Sequence, residues 1–297
     1  DVLEHKHTEF DAKKTKRKKE GVFYTPDYIT RYIVENTVGI WLKEKEAEVT
    51  KKYSSLKKNK EYTILREYRD EHLSKIKILD PACGSGAFLI AVFNYLWKEH
   101  ERVYTEIKEI KNKTAQGELF DFDSINKTIL ENNLYGVDLN RESVEITKLA
   151  LWLKTAAKNK KLNSLHNNIK CGNSLVDDKS VVGDLAFDWK KEFPEIFTTK
   201  TKTNPGLLVA EAKTKRNGFD VVVGNPPYVR ADIDNENYQM QRKWMETCGK
   251  YQTLFEKWDL YIAFLERSLQ FLDTNGLLSF IISNSYNTVK YSEKSRE

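Results

Sequence analysis

Apolar positions along the chain follow two periods in turn. Ile76-Lys77-Ile78-Leu79-Asp80 is a short apolar run that stops at Pro81 and reads as a buried strand. Residues 87–97 follow, apolar at helical spacing. Leu134–Asp138 reads as a second strand, and a helix over about 143–158 carries Val144, Ile146, Leu149, Leu151, Trp152 and Leu153. Ile169–Cys171 is a weaker strand and Phe219–Gly224 a strong one. An amphipathic helix over 258–272 and a strand over 277–282 complete the series. Upstream, Thr25 reads as an N-cap with Pro26 at the first helical position and Asp27 in the first turn. Ile29, Tyr32, Ile33, Ile40 and Trp41 then fall near helical spacing. Residues 43–75, rich in Lys, Glu and Arg, read as a long charged helical excursion.

Strands alternating with helices predict an α/β fold with a mostly parallel sheet. In such folds ligands bind beyond the carboxyl ends of the strands, so the residues just after each strand carry the information. Four of the six prolines lie there or in the Thr25-Pro26 pair: Pro26, Pro81, Pro226 and Pro227.

Composition narrows the class. The chain has 297 residues, 40% of them hydrophobic, which is enough to bury a core. Its 49 Lys+Arg against 44 Asp+Glu leave a net charge of +5, which permits a polyanionic partner without demanding one. No apolar run approaches the roughly 18 residues of a membrane span, and the polar N-terminus does not read as a signal peptide. Cys83, Cys171 and Cys248 are far apart, with no CxxC, which argues against a disulfide framework or zinc ribbon and for a reducing cytoplasm. His5 and His7 read as part of a solvated tail, so no metal site is expected. The basic run at 13–19 makes residues 1–20 a linker, with one catalytic domain over 21–297.

Three clusters carry candidate chemistry. Asp80-Pro81-Ala82-Cys83-Gly84-Ser85-Gly86 follows the first strand, where glycines let the backbone approach a ligand beside a helix N-terminus. It is no P-loop, because Gly-Lys-Ser/Thr is absent, and a poor dinucleotide fingerprint, because Leu89 stands at the third glycine. Asp138 ends the second strand, where an acid can accept the hydroxyls of a ribose. Asn225-Pro226-Pro227-Tyr228 follows the most apolar strand. An amide oxygen and a carbonyl held rigid by prolines can accept both hydrogens of an amino group, and Tyr228 offers a flat face to a planar base.

Taken in order, Gly21-Val22-Phe23-Tyr24-Thr25-Pro26, the glycine turn, Tyr135-Gly136-Val137-Asp138 and Asn225-Pro226-Pro227-Tyr228 resemble the gamma group of N6-adenine DNA methyltransferases. Within it, the chain looks most like the methylase region of type IIG restriction–modification enzymes. The resemblance implies a Rossmann-like fold dependent on S-adenosylmethionine, and methyl transfer to the N6 amine of adenine in double-stranded DNA. It implies that Tyr24 and Thr25 line the methionine end of the cofactor. Asp80, Pro81, Ala82, Gly84 and Gly86 would pass beneath the cofactor, Asp138 would hold the ribose, and Asn225 would border it. Asn173 and Ser174 stand where the family often has an Asp on the cofactor adenine, and Asn173 would accept from the adenine amino group. Asn225 and the Pro226 carbonyl would then polarise the target amine, Pro227 would stiffen the turn, and Tyr228 would stack on the flipped adenine.

Protein-glutamine and ribosomal-RNA methyltransferases share the Asn-Pro-Pro-Tyr pattern, but the Phe-Tyr-Thr-Pro segment favours DNA. Glu4-His5-Lys6, Glu106-Ile107-Lys108 and Glu211-Ala212-Lys213 resemble nuclease Glu-x-Lys signatures, but none has a convincing partner carboxylate after a strand. The complete motif argues against a non-catalytic DNA-binding fragment, and Leu89 argues against a nicotinamide enzyme. After the strand at 277–282 the remaining residues are too few for the hairpin that closes such sheets, so a sheet truncated at its C-terminal edge is expected. A nuclease domain upstream and a recognition domain downstream in a parent protein are expected with it, leaving this chain alone with little sequence-specific methylation.

Overall fold

A computed structural model describes residues 25–112, 122–155, 165–197, 217–230 and 235–296. Tyr24, the His5/His7 pair and the basic run at 13–19 lie outside the described residues.

Helices α1 (Asp27–Glu35), α2 (Val38–Lys52) and α3 (Lys60–Glu67) lead into strand β1 (Ile78–Asp80). Helix α4 (Ala87–Asn112), then α5 (Phe122–Thr128), β2 (Leu134–Asp138), α6 (Arg141–Thr155) and β3 (Ile169–Cys171) follow. The second half contains β4 (Phe219–Gly224), α7 (Glu236–Thr247), α8 (Leu260–Phe271) and β5 (Leu272–Phe280). The five strands form one sheet in the order β3-β2-β1-β4-β5, and every pairing is parallel. The chain therefore winds outward from β1 to β3, then crosses back to lay β4 on the other side of β1. The crevice at that reversal lies beyond the carboxyl ends of β1 and β4. Register puts the ends level: Asp80 pairs with Gly136, and Gly224 with Phe280.

Strand β4 is buried along its whole length because the sheet is covered on both faces. Val221 and Val223 pack on one side with Leu89, Val92 and Leu96 of α4. Phe219 and Val222 pack on the other with Trp189, Phe193 and Phe271. A third cluster, including Leu175, Val229, Met245 and Trp258, sits over the strand ends and holds the chain that follows Tyr228.

Several boundaries differ from the sequence reading. The charged excursion is two helices, broken at residues 53–59, where Asn59 takes a positive φ of 52°. The N-cap of α1 is Pro26, not Thr25: the Pro26 carbonyl accepts from the Ile29 and Thr30 amides, and no side chain caps. Tyr32 and Ile40 face solvent, while Thr30, Val34 and Val38 take the inner positions. Helix α8 starts at Leu260 because Asp259 is its N-cap, and Trp258 before it is fully buried. Strand β5 begins at Leu272 rather than 277. Residues 273–276 loop out opposite Asp220, with Asn275 at a φ of 63°. As expected, β5 is an edge strand, and among the described residues nothing pairs with its outer side.

Candidate active site

Asp80 closes β1 and is 1% exposed. Its Oδ1 accepts from the Ala82 amide at 3.1 Å. A Cβ on Gly224 would stand 2.8 Å from that oxygen, so the end of β4 must be glycine for the carboxyl to fit. Burial pushes the Asp80 carboxyl up to about 8, and the nearby Asp138 charge adds to the effect. Asp138, half-buried at the end of β2, is also raised by burial, against two backbone donors. Those donors are the Asn140 amide on Oδ1 and the Gly84 amide on Oδ2, both at 2.8 Å. No Lys, Arg or His among the described residues offsets either carboxyl.

The glycine turn between them is fixed from three sides. Cys83 N donates to the Val137 carbonyl at 3.0 Å, and Asp138 holds Gly84 N. Thr147, fully buried on α6, donates its hydroxyl to the Gly84 carbonyl at 2.8 Å. Gly86 takes a φ of 85°, and a Cβ there would meet the Thr147 Cγ2 at 2.9 Å. Ser174 donates to the Pro81 carbonyl at 2.5 Å and ties the next loop to the same turn.

Past β4, Asn225 Nδ2 donates to Thr25 Oγ1 at 3.2 Å. Its Oδ1 is buried and has no partner among the described residues. Pro226 is buried and Pro227 half-buried. Tyr228 donates its hydroxyl to the Ile281 carbonyl at 2.7 Å, with its ring centroid 5.7 Å from that of Tyr261. Burial, aided by the Asp259 charge, pushes the Tyr228 hydroxyl up to about 12. Val229 is pinned from both sides, its amide on Asp259 Oδ1 at 3.0 Å and its carbonyl on the Leu260 amide at 3.1 Å.

The structure thus brings Thr25, Asp80, Pro81, Ala82, Gly84, Gly86, Asp138 and Asn225–Tyr228 to one end of the sheet. Asn173 lies at the same end, with both ends of its amide engaged internally. Its Oδ1 accepts from Leu175 N and Val176 N, and its Nδ2 donates to Gln241 at 2.9 Å. Sequence reasoning missed Thr147, Gln241 and Asp259. Only Asp259 carries a signal, an acid directly before an apolar helical run. Leu139, directly after Asp138, is 49% exposed.

A site with two carboxyl groups and no cationic partner among the described residues suits a ligand that is positively charged and rich in hydrogen-bond donors. It disfavours a pyrophosphate. The Asn225 Oδ1 needs a donor that the described residues do not supply.

Among proteins that align over about nine-tenths of the chain, the type II restriction enzyme and methyltransferase RM.Eco57I of Escherichia coli is 28% identical over 287 residues. That alignment covers 93% of this chain and 24% of the relative. The adenine-specific methyltransferase PglX of Lacticaseibacillus casei is 22% identical over 331 residues, covering 89% of this chain and 25% of the relative. The type IIL restriction–modification enzyme MmeI, solved in complex with DNA, shares the fold with a TM-score of 0.56 at 16% identity, over 89% of this chain and 30% of that one. The chain thus spans about a quarter of the length of these relatives. The family model of the Eco57I restriction-modification methylase matches residues 132–297, more than half of the sequence and the whole stretch from β2 through Asn225–Tyr228 to β5. On that match, this chain belongs to the Eco57I restriction-modification methylase family.

Proposed function

We propose that the chain transfers a methyl group from S-adenosylmethionine to the N6 amine of adenine in DNA, as the methylase part of a restriction–modification protein. The observation that carries the reading is the buried, unpartnered Asn225 Oδ1 beside the carboxylate-lined glycine turn. S-adenosylmethionine, when bound, supplies an electrophilic methyl on a sulfonium, and its net charge of about +1 suits a cup holding Asp80 and Asp138 without a cation. Asp138 holds the adenosine end, and the glycine turn passes beneath it. Thr25 and Asp80 face the methionine end.

On the target side, the amine of adenine is a weak nucleophile because its lone pair is delocalised into the ring. Asn225 Oδ1 and the Pro226 carbonyl accept its two hydrogens and draw the nitrogen toward a tetrahedral geometry. As the new N–C bond forms, the nitrogen becomes acidic and sheds its proton without a strong base. Positioning and electrostatics do the work. A base inside a duplex is out of reach, so the adenine swings out and stacks on Tyr228. The Tyr228 hydroxyl bond to Ile281 fixes the plane of that ring in advance.

The PglX relative, adenine-specific by name, supports the choice of base, and the complex of MmeI with DNA supports the choice of polymer. The test is transfer of radiolabelled methyl from S-adenosylmethionine to duplex DNA, RNA and protein by the full-length protein carrying this sequence, with nucleoside analysis of the product. N6-methyladenine from DNA is expected. Label confined to RNA, protein or cytosine would overturn the reading.

A further inference from the structure

We propose that Thr25 is a positioning residue for Asn225: its hydroxyl takes the Nδ2 end of the amide and so turns Oδ1 toward the target amine. The proposal rests on the methyl-transfer reading above. The two residues are 200 positions apart and meet through one hydrogen bond of 3.2 Å. Thr25 is 6% exposed, and its hydroxyl is not spent on the helix it precedes, because Pro26 is the N-cap. The other end of the amide, Oδ1, is buried without a partner.

An asparagine amide presents either one acceptor or two donors to a pocket, and its neighbours decide which. The adenine amine brings donors. With Nδ2 turned toward it, donors would face donors, and both would lose their hydrogen bonds in a buried place. With Oδ1 turned toward it, the amine finds the acceptor it needs. Thr25 makes that choice by receiving Nδ2. A hydroxyl could also donate to Oδ1 and hold the amide the other way round, so its hydrogen must be engaged elsewhere. Among the described residues the Thr25 hydroxyl has no partner except Asn225. Its hydrogen is therefore open to an acceptor entering the cup, such as a ligand carboxylate. Once that hydrogen is given away, only a lone pair remains for Asn225, and occupancy of the cup locks the amide in the productive orientation.

The experiment compares wild type, Thr25→Val, Thr25→Ser, Asn225→Ala and the Thr25→Val/Asn225→Ala double variant in the full-length protein. Single-turnover methylation is measured with cofactor and DNA both saturating. Thr25→Val, which keeps the shape and removes the hydroxyl, should slow the step about 5- to 30-fold, the scale of one buried hydrogen bond. Thr25→Ser should stay within about twofold of wild type. In the Asn225→Ala background, Thr25→Val should slow the reaction no further, because the group it orients is gone. A second readout needs no turnover. The side-chain amide signal of Asn225, identified by its absence in Asn225→Ala, should shift and lose solvent protection in Thr25→Val. Loss of methylation equal in both backgrounds, or an Asn225 amide signal unmoved by Thr25→Val, would overturn the proposal. Absence of any DNA methylation by wild type would instead sink the parent reading, and the amide signal would still decide the positioning role.

Discussion

Asp80 allows a sharp test of the cup. The carboxyl is 1% exposed, has one backbone donor and no cation, and sits beside Asp138. Folding moves its titration from about 3.8 to about 8. The folded state therefore binds the extra proton between those values. The stabilisation is complete below the unfolded value and is lost as pH rises through the folded one. At about 1.4 kcal/mol per pH unit, the easier ionisation of Asp80 in the unfolded chain disfavours the ligand-free fold by about 4 kcal/mol at pH 7, rising to about 6 kcal/mol above pH 9. These are ceilings, because a carboxylate forced to ionise draws in water. Asp80→Asn imitates the neutral acid and removes the cost. Denaturant melts without ligand should then show the variant gaining on wild type as pH rises from 6 to 9. A cationic ligand reverses the sign by stabilising the ionised carboxylate. Wild-type affinity for S-adenosylmethionine should rise with pH up to about 8, with proton release seen as a buffer-dependent heat in calorimetry. Asp80→Asn should bind more weakly and lose that slope. A stability gap that stays constant over pH 6–9, or a cofactor affinity independent of pH in wild type, would refute the argument.

Gly86→Ala forces an L residue to a φ of 85° with its Cβ 2.9 Å from the Thr147 methyl, and should destabilise the fold by about 1–3 kcal/mol in denaturant melts. His100 is buried with Nε2 unpartnered, and burial lowers its titration to about 4. Its neutral form supports the fold above the ordinary value of 6.5, and about 3 kcal/mol is lost as pH falls from there through 4. His100→Gln should flatten acid melts over that window. Tyr228→Phe keeps the ring and loses the hydroxyl bond to Ile281, so methylation should stay within a few fold. Tyr228→Ala removes the stacking face and should cost about 1–3 kcal/mol in the single-turnover rate.

The strands were legible because a doubly covered parallel sheet writes its strands as apolar runs, and β4 is the extreme case. The site was legible where its residues follow strands, as Asp80, Asp138 and Asn225 do. It was not legible where a side chain reaches it from a helix or a distant loop. Thr147 stands within an ordinary helical stretch, and nothing in sequence ties it to Gly84. Thr25 was misread because Thr-Pro before a helix is a capping signal. The structure gives the cap to Pro26 and frees the hydroxyl for a residue 200 positions away. Neither partner in that bond contains information about the other.

Helix α6 shows why hydrophobic periodicity alone could not orient the site. It carries two stripes. Val144, Thr147 and Leu151 face the sheet, while Ile146, Leu149 and Leu153 are each more than half exposed. On apolar content the second stripe is the stronger, since it has no hydroxyl. Burying it in place of the first would remove several kcal/mol of exposed aliphatic surface at about 1.5–3 kcal/mol per full side chain. What holds the helix the other way is the turn it serves. Gly86 lies close enough to leave room only for a short side chain at 147, and the Gly84 carbonyl accepts a donor from there. Thr147 meets both demands, with its methyl against Gly86 and its hydroxyl on Gly84. A leucine there would clash with the turn and leave the buried carbonyl unpaired. The helix is thus oriented by the shape and polarity of the glycine turn, at the expense of its own most apolar face.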